Sequence, residues 1–243
     1  MKAVFTCGGT GGHINPALAV ARVLLERRPD SEILFVGAED GMEATLVPRE
    51  GFRLETLQIS SYMRSLKPSA IRHNVRAALS IRRALKKADR IIRDFQPDVI
   101  LGTGGYASYP MLHEGARLGI PTAVHESNAV PGLATKMVAD KVDRILVSFA
   151  DSRSAYRDPS RVIAVGMPVR EEFVFTRRAD ARRALGLDEK TPMIVSAWGS
   201  LGAREMNKKI AQFMKLECEQ DCWRHIHATG SFGWRWMPDY VKE

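Results

Sequence analysis

The sequence predicts a doubly wound α/β protein with a second α/β unit begun towards its C-terminal end. Three observations predict it. Over residues 1–166, short apolar runs of strand length alternate with amphipathic stretches of helical spacing. The succession strand, glycine-rich loop, helix occurs at Cys7–His13, at Gly102–Tyr106 and again at Trp198–Ala203. Between the second and third of these, Gly166-Met167-Pro168-Val169-Arg170 breaks the pattern and reads as the connection between a unit at 1–166 and a partial one at 167–243.

Each element follows from its residues. Ala3-Val4-Phe5 is a buried strand, and Cys7-Gly8-Gly9-Thr10-Gly11-Gly12-His13 the loop after it. Asn15 and Pro16 suit an N-cap and first helical turn, and Ala17, Val20, Ala21, Leu24 and Leu25 recur at helical spacing. Such a loop presents backbone N–H groups and a helix dipole to an anion, most often a phosphate. Ile33–Val36 is the next strand. The dinucleotide fingerprint G-x-G-x-x-G fails here, because Ile14 occupies its last position counted from Gly9. A short helix opens at Gly41-Met42-Glu43-Ala44, and Phe52–Leu57 alternates as a strand. After a loop, Ser60–Pro68, a long helix runs over 69–95. Asp98–Leu101 leads into Gly102-Thr103-Gly104-Gly105-Tyr106 and a helix ending before Gly119. Thr122–His125 is a strand, Glu126–Gly132 a loop, Leu133–Ala139 a helix, and Ile145–Val147 and Val162–Val165 are strands. Ligands of such sheets bind beyond the carboxyl ends of the strands, so the two glycine loops and the Glu126–Asn128 loop are expected to line one cleft. Past the connection come a charged helix over 177–185, a strand at Met193–Ser196, and a helix with Met206, Ile210, Phe213 and Met214 inward. Ile226-His227-Ala228-Thr229-Gly230 and an aromatic loop follow, and then a helix start near Tyr240.

Charge and cysteine usage narrow the function classes. The net charge of +8 implies an anionic partner or surface. Arg64, Lys67, Arg72, Arg76, Arg82, Arg83, Lys86, Lys87 and Arg90 gather on and before the long helix. Aromatic residues for base stacking are missing from the helix body, which favours anionic lipid over nucleic acid. The 3 cysteines, Cys7, Cys218 and Cys222, suit a reducing compartment, and the last two make only a weak zinc pattern with His225 and His227. No apolar run reaches the ~20 residues of a membrane span, and no signal peptide opens the sequence, so a cytoplasmic or peripheral protein is expected.

Taken together and in order, five motifs resemble the MurG family of N-acetylglucosaminyltransferases: Gly8–Pro16, Gly102–Tyr106, His125-Glu126-Ser127-Asn128-Ala129, Gly166–Arg170 and Gly199–Ala203. The resemblance implies a GT-B fold, with a complete N-terminal Rossmann-like domain and an incomplete second one, and neither cofactor nor catalytic metal. It implies inverting transfer of N-acetylglucosamine from UDP-N-acetylglucosamine to a polyprenyl-diphosphate-linked muramoyl-pentapeptide, at the cytoplasmic face of the bacterial membrane. It further implies donor contacts from Thr10, Gly11, Gly12, Asn128, Arg170 and Ser200, with Asn207 a weaker addition. Gly104, Gly105, Tyr106, His125 and Glu126 then fall on the acceptor side. Such a displacement needs a base for the acceptor hydroxyl. His13 is the candidate, since histidine titrates near neutrality and a helix N-terminus favours its neutral form. Two departures stand out. Trp198 replaces the glycine that usually begins the third loop, and roughly a third of a family-length chain is expected to be missing. A basic-helix nucleic-acid-binding protein and an inactive acceptor-binding fragment are the competing readings.

Overall fold

The structure is a computed structural model; it describes residues 1–60, 68–199, 202–220 and 223–242, with the side chains of 68–76, 78–79, 220 and 241–242 left undescribed. Arg64, Lys67, Ser200, Leu201 and Cys222 therefore lie outside the described residues, as do the side chains of Arg72 and Arg76.

The first unit, Met1–Val174, carries strands β1 (Lys2–Thr6), β2 (Glu32–Ala38), β3 (Arg53–Leu57), β4 (Val99–Gly102), β5 (Thr122–Glu126), β6 (Arg144–Val147) and β7 (Val162–Ala164). They form one parallel sheet of seven strands in the order β3-β2-β1-β4-β5-β6-β7. Its helices are α1 (Gly11–Arg27), α2 (Glu43–Arg49), α3 (Pro68–Phe95), α4 (Ser108–Arg117), α5 (Leu133–Val138) and α6 (Glu171–Phe175), whose last residue crosses into the second unit. Strands covered on both faces read as unbroken apolar runs, and the period of two sorts their side chains. Ala3 and Phe5 pack with Phe35, Ile14, Ala17, Leu18 and Val47 on the α1–α2 side. Val4, Leu34 and Val36 pack with Ala84, Ala88, Ile91, Ile92, Met111 and Leu112 on the α3–α4 side. The strand order reverses between β1 and β4, so the loops that follow these two strands open side by side at the carboxyl edge.

Two local expectations change. Helix α1 begins four residues earlier than its sequence cap: Thr10, in extended conformation, is the N-cap, and its carbonyl accepts from the N–H groups of His13 and Ile14. Gly11, Gly12 and His13 thus form the first helical turn, and Asn15-Pro16 lies inside the helix. The chain divides between Val174 and Phe175, beyond the Gly166–Arg170 connection.

The second unit holds α7 (Arg178–Ala184), β8 (Met193–Ala197), α8 (Arg204–Gln220), β9 (Arg224–Ala228), α9 (Gly230–Gly233) and α10 (Met237–Lys242). Its described strands make a parallel pair, β8-β9, registered Val195↔Ile226 and Ala197↔Ala228. Helix α8 keeps part of the expected face, with Ile210 and Met214 half-buried, and departs from it elsewhere. Met206 and Phe213 are exposed, while Asn207, Ala211 and Glu217 are buried. The reason is polar: Asn207 Nδ2 donates to the Thr229 carbonyl at 2.7 Å, and Glu217 accepts from Trp223 Nε1 at 2.5 Å and pairs with His225 Nδ1 at 2.6 Å. These bonds draw Asn207 and Glu217 inward beside Ala211, while Met206 and Phe213 stay outside.

Candidate active site

A cleft of about 290 Å³ opens in the first unit at the carboxyl edge of the sheet. His13, Gly104, Gly105, Tyr106, Glu126 and Asn128 line it, with an apolar side from Ile59, Ile81, Tyr109, Leu133 and Met137.

The two glycine loops touch through backbone. A Cβ on Gly105 would lie 2.1 Å from the Gly8 carbonyl oxygen, and Gly105 has φ +81, so glycine is required there on both counts. Gly104, at φ +100, brings its Cα against the His13 ring, where a Cβ would sit 2.8 Å from Cδ2. Thr103 Oγ1 donates to the His13 carbonyl at 2.6 Å, which ties the second loop to the first turn of α1.

His13 Nδ1 lies 3.1 Å from the Gly8 carbonyl oxygen and 3.3 Å from Thr10 Oγ1. A carbonyl can only accept, so Nδ1 carries a proton, and in a neutral ring the lone pair then lies on Nε2. That is the form a general base needs. Tyr106 beside it has its phenol pushed upward, first by burial and then by the charges of Glu43 and Asp40, so it stays a hydroxyl.

Glu126 stands at the end of β5. Its Oε1 accepts from the Asn128 backbone N–H at 2.9 Å and Nδ2 at 2.7 Å, and its Oε2 from the Gly132 N–H at 2.9 Å. Burial raises its carboxyl, but the hydrogen bonds from Thr135, Asn128 and Gly132 outweigh that and hold it below the usual carboxylate range. It is an ionised anchor for the 128–132 loop rather than a proton donor.

Other expected residues lie elsewhere. His125 is 1% exposed and does not line the cleft. Its Nε2 meets the Gly166 carbonyl at 3.0 Å, and burial pushes the ring's proton affinity down. It pins the chain beyond β7. Thr10, Gly11 and Gly12 sit at the open start of α1, where the first N–H groups have no acceptor within the helix. Arg170 is 4.0 Å from Glu50 and lies over the Phe173 ring, and it is not among the residues that line the cleft. Ser200 is outside the described residues. Asn207 belongs to the second unit and is buried.

Sequence reasoning missed Glu43. It is 0% exposed, and its Oε2 accepts from the Gly9 N–H at 3.1 Å and its Oε1 from the Ala38 N–H at 2.7 Å. Gly8, Gly37 and Gly41 surround it so closely that a Cβ on any of them would fall within 2.7 Å of its side chain. Gly37 and Gly41 lie near Glu43 in sequence and Gly8 does not, so the cage is visible only in the fold.

With this geometry in place, comparison decides the family. The model of the glycosyltransferase family 28 N-terminal domain matches residues 3–147. This chain belongs to glycosyltransferase family 28. The family-28 chain is 39% identical over 230 residues to the UDP-N-acetylglucosamine--N-acetylmuramyl-(pentapeptide) pyrophosphoryl-undecaprenol N-acetylglucosamine transferase of Acetivibrio thermocellus, covering 95% of this chain and 61% of that one. It is 39% identical over 243 residues to the protein of that name from Caldanaerobacter subterraneus subsp. tengcongensis, covering 100% and 65%. It thus spans under two thirds of the length of these relatives. Acinetobacter baumannii MurG aligns over 100% of this chain and 64% of its own, with a TM-score of 0.64 at 22% identity. A Neisseria meningitidis UDP-GlcNAc 2-epimerase aligns over 93% and 65%, with a TM-score of 0.58 at 15% identity. At these identities the solved structures speak for the fold alone, and the fold is of the GT-B class. The MurG resemblance carried by the motifs is borne out by the named relatives.

Proposed function

We propose that this chain carries the acceptor side, and part of the donor side, of an inverting N-acetylglucosaminyltransferase of peptidoglycan synthesis. The donor is UDP-N-acetylglucosamine and the acceptor a polyprenyl-diphosphate-linked muramoyl-pentapeptide. The observation that carries this reading is His13, held in a glycine-lined cleft with Nδ1 bonded to a carbonyl and Nε2 left as acceptor, in a chain 39% identical to enzymes of that name.

The acceptor hydroxyl gives its proton to His13 Nε2 as its oxygen bonds to the sugar C1, and the C1–O bond to the departing UDP breaks on the opposite face. The open first turn of α1, from Thr10 to Gly12, suits a phosphate through free N–H groups and the helix dipole. Asn128, Arg170 and Ser200 are the proposed further donor contacts, and Asn207 a weaker one. Gly104, Gly105, Tyr106 and Glu126 serve the acceptor side by lining or bracing the cleft. No metal or cofactor is assigned a role.

A peripheral seat on an anionic membrane, at its cytoplasmic face, fits two surfaces. Val130, Leu133 and Met137 stand exposed at and beside the cleft. Arg82, Arg83, Lys86, Lys87 and Arg90 are exposed along α3. Among the described residues no helix is long and apolar enough to cross a membrane. Nucleic acid is not assigned as a partner, because the charged face of α3 carries no stacking aromatic among its described side chains and Phe95 at the helix end packs against the core. The reading as an acceptor-binding fragment is favoured by one contrast among the described residues, a sheet of seven strands in the first unit and a two-stranded one in the second.

The test is transfer of labelled N-acetylglucosamine to a lipid-linked muramoyl-pentapeptide analogue, with melting of the chain followed in parallel. The expected outcome for this chain alone is a rise in Tm with the acceptor analogue and no turnover. Where turnover is obtained, His13→Ala lowers it by roughly 10²–10⁴-fold. A folded chain that shows no turnover and no melting shift with the acceptor analogue would overturn the reading.

A further inference from the structure

One peptide group joins Glu43 to His13. The Gly9 N–H donates to Glu43 Oε2 at 3.1 Å, and the carbonyl of that same peptide, on Gly8, accepts from His13 Nδ1 at 3.1 Å. In a trans peptide the N–H and C=O point in opposite directions, so whatever holds one end fixes the other. Gly8 and Gly9 lack side chains to resist rotation of this plane, and Gly9 already sits at φ +88. Were the plane to turn over, an N–H would face Nδ1 and the ring would have to place its proton on Nε2. Thr10 Oγ1, the other group at Nδ1, can give or accept and so selects neither form.

The geometry points to Glu43 as a positioning residue that sets the tautomer of His13 through the Gly8–Gly9 peptide. The acid does not touch the cleft. It acts by being buried and by accepting at both oxygens, with the Ala38 N–H of β2 on the second. Gly105, packed against the Gly8 carbonyl from the second loop, closes the remaining side of the peptide. The meaning of this for transfer rests on the reading of His13 as base; the tautomer itself does not.

The test is nitrogen NMR of the 15N-histidine-labelled chain, with His13 assigned by the loss of its signals in His13→Ala. In the unmodified chain, Nδ1 is expected to be protonated and Nε2 bare. Two variants follow. Glu43→Met removes both acceptor oxygens in similar volume. Gly41→Ala keeps the carboxylate but displaces it, because a Cβ there would lie 2.3 Å from Oε2, at a position with no left-handed backbone. In each folded variant the Nε2-protonated form is expected to appear at the expense of the other. A structural role alone would lower the melting temperature and leave the tautomer unchanged, and that result in either folded variant overturns the proposal. If Glu43→Met does not fold, Gly41→Ala decides. A tautomer that follows Glu43 in a chain that neither binds acceptor nor turns over would sink the base reading and leave this inference standing.

Discussion

At Glu126 a buried carboxylate spends both oxygens on one loop. Hydrogen bonds to a charged acceptor contribute about 1.5–3 kcal/mol each, and glutamine would turn an amide donor towards donors. Glu126→Gln is therefore expected to lower the stability of the folded chain by about 2–3 kcal/mol at neutral pH, read from urea midpoints. The pH dependence has a definite sign. The folded-state carboxyl lies below its unfolded value, so its stabilisation is complete above an unfolded pKa of about 4.3 and is lost as pH falls through the lower folded value. The gap between wild type and variant should narrow below about pH 4.3; a constant gap would show that the charge is not what matters. His13 was legible as a candidate from its place after four glycines. His125 was misplaced because its neighbours in sequence do line the cleft; strand alternation turns its ring the other way, towards Gly166. Glu43 went unnoticed because one acid in a short amphipathic segment carries no signal until the glycines that surround it are brought together in space.

The elements themselves followed closely from periodicity, and their ends did not. The apolar runs of β1, β2, β4 and β5 were plain, since parallel strands buried on both faces admit few polar residues. The start of α1 was not, because Asn15-Pro16 is a good cap in isolation while Thr10 wins once Thr103 grips the His13 carbonyl. In α8 the apolar spacing was right for Ile210 and Met214, which are half-buried, but not for Met206 and Phe213, because the bonds of Asn207 and Glu217 place those two polar residues inward instead. The packing of the glycine loops gives a test at this scale. Gly105→Ala must bear a left-handed backbone and a collision with the Gly8 carbonyl, for a loss of about 2–4 kcal/mol. Gly119 also has positive φ, at +75, but nothing stands within 4 Å of its would-be Cβ. Gly119→Ala should cost only about 1–2 kcal/mol. Equal losses for the two variants would mean that the approach of the two loops is not tight.

For the molecule as a whole, the two units differ in how much structure supports each strand. In the first, β1 lies between β2 and β4 and is covered on both faces. In the second, β8 has β9 as its described neighbour, and Val195 and Ile226, a registered pair, are both exposed. A lone two-stranded pair is marginal without further packing. Amide exchange is expected to be markedly faster in β8 and β9 than in β1, β2 and β4, with the second unit unfolding at lower urea. Uniform protection across both would refute this. The doubly wound class and the restart of the pattern after Arg170 were readable in the sequence. The division at Val174 was not, because Phe173, Val174 and Phe175 resemble core residues yet are exposed.

The bond from Gly9 to Glu43 also bears on how the chain is made. A nascent chain that has emerged from the ribosome as far as Asp30 has released every glycine of the first loop, and all of α1, but neither β2 nor the carboxylate that holds the Gly8–Gly9 peptide. The loop's working shape is thus a product of non-local closure and not of its own sequence. A synthetic peptide ending near Asp30 should show no fixed histidine tautomer, while one extended past Glu50 has the parts to begin forming it.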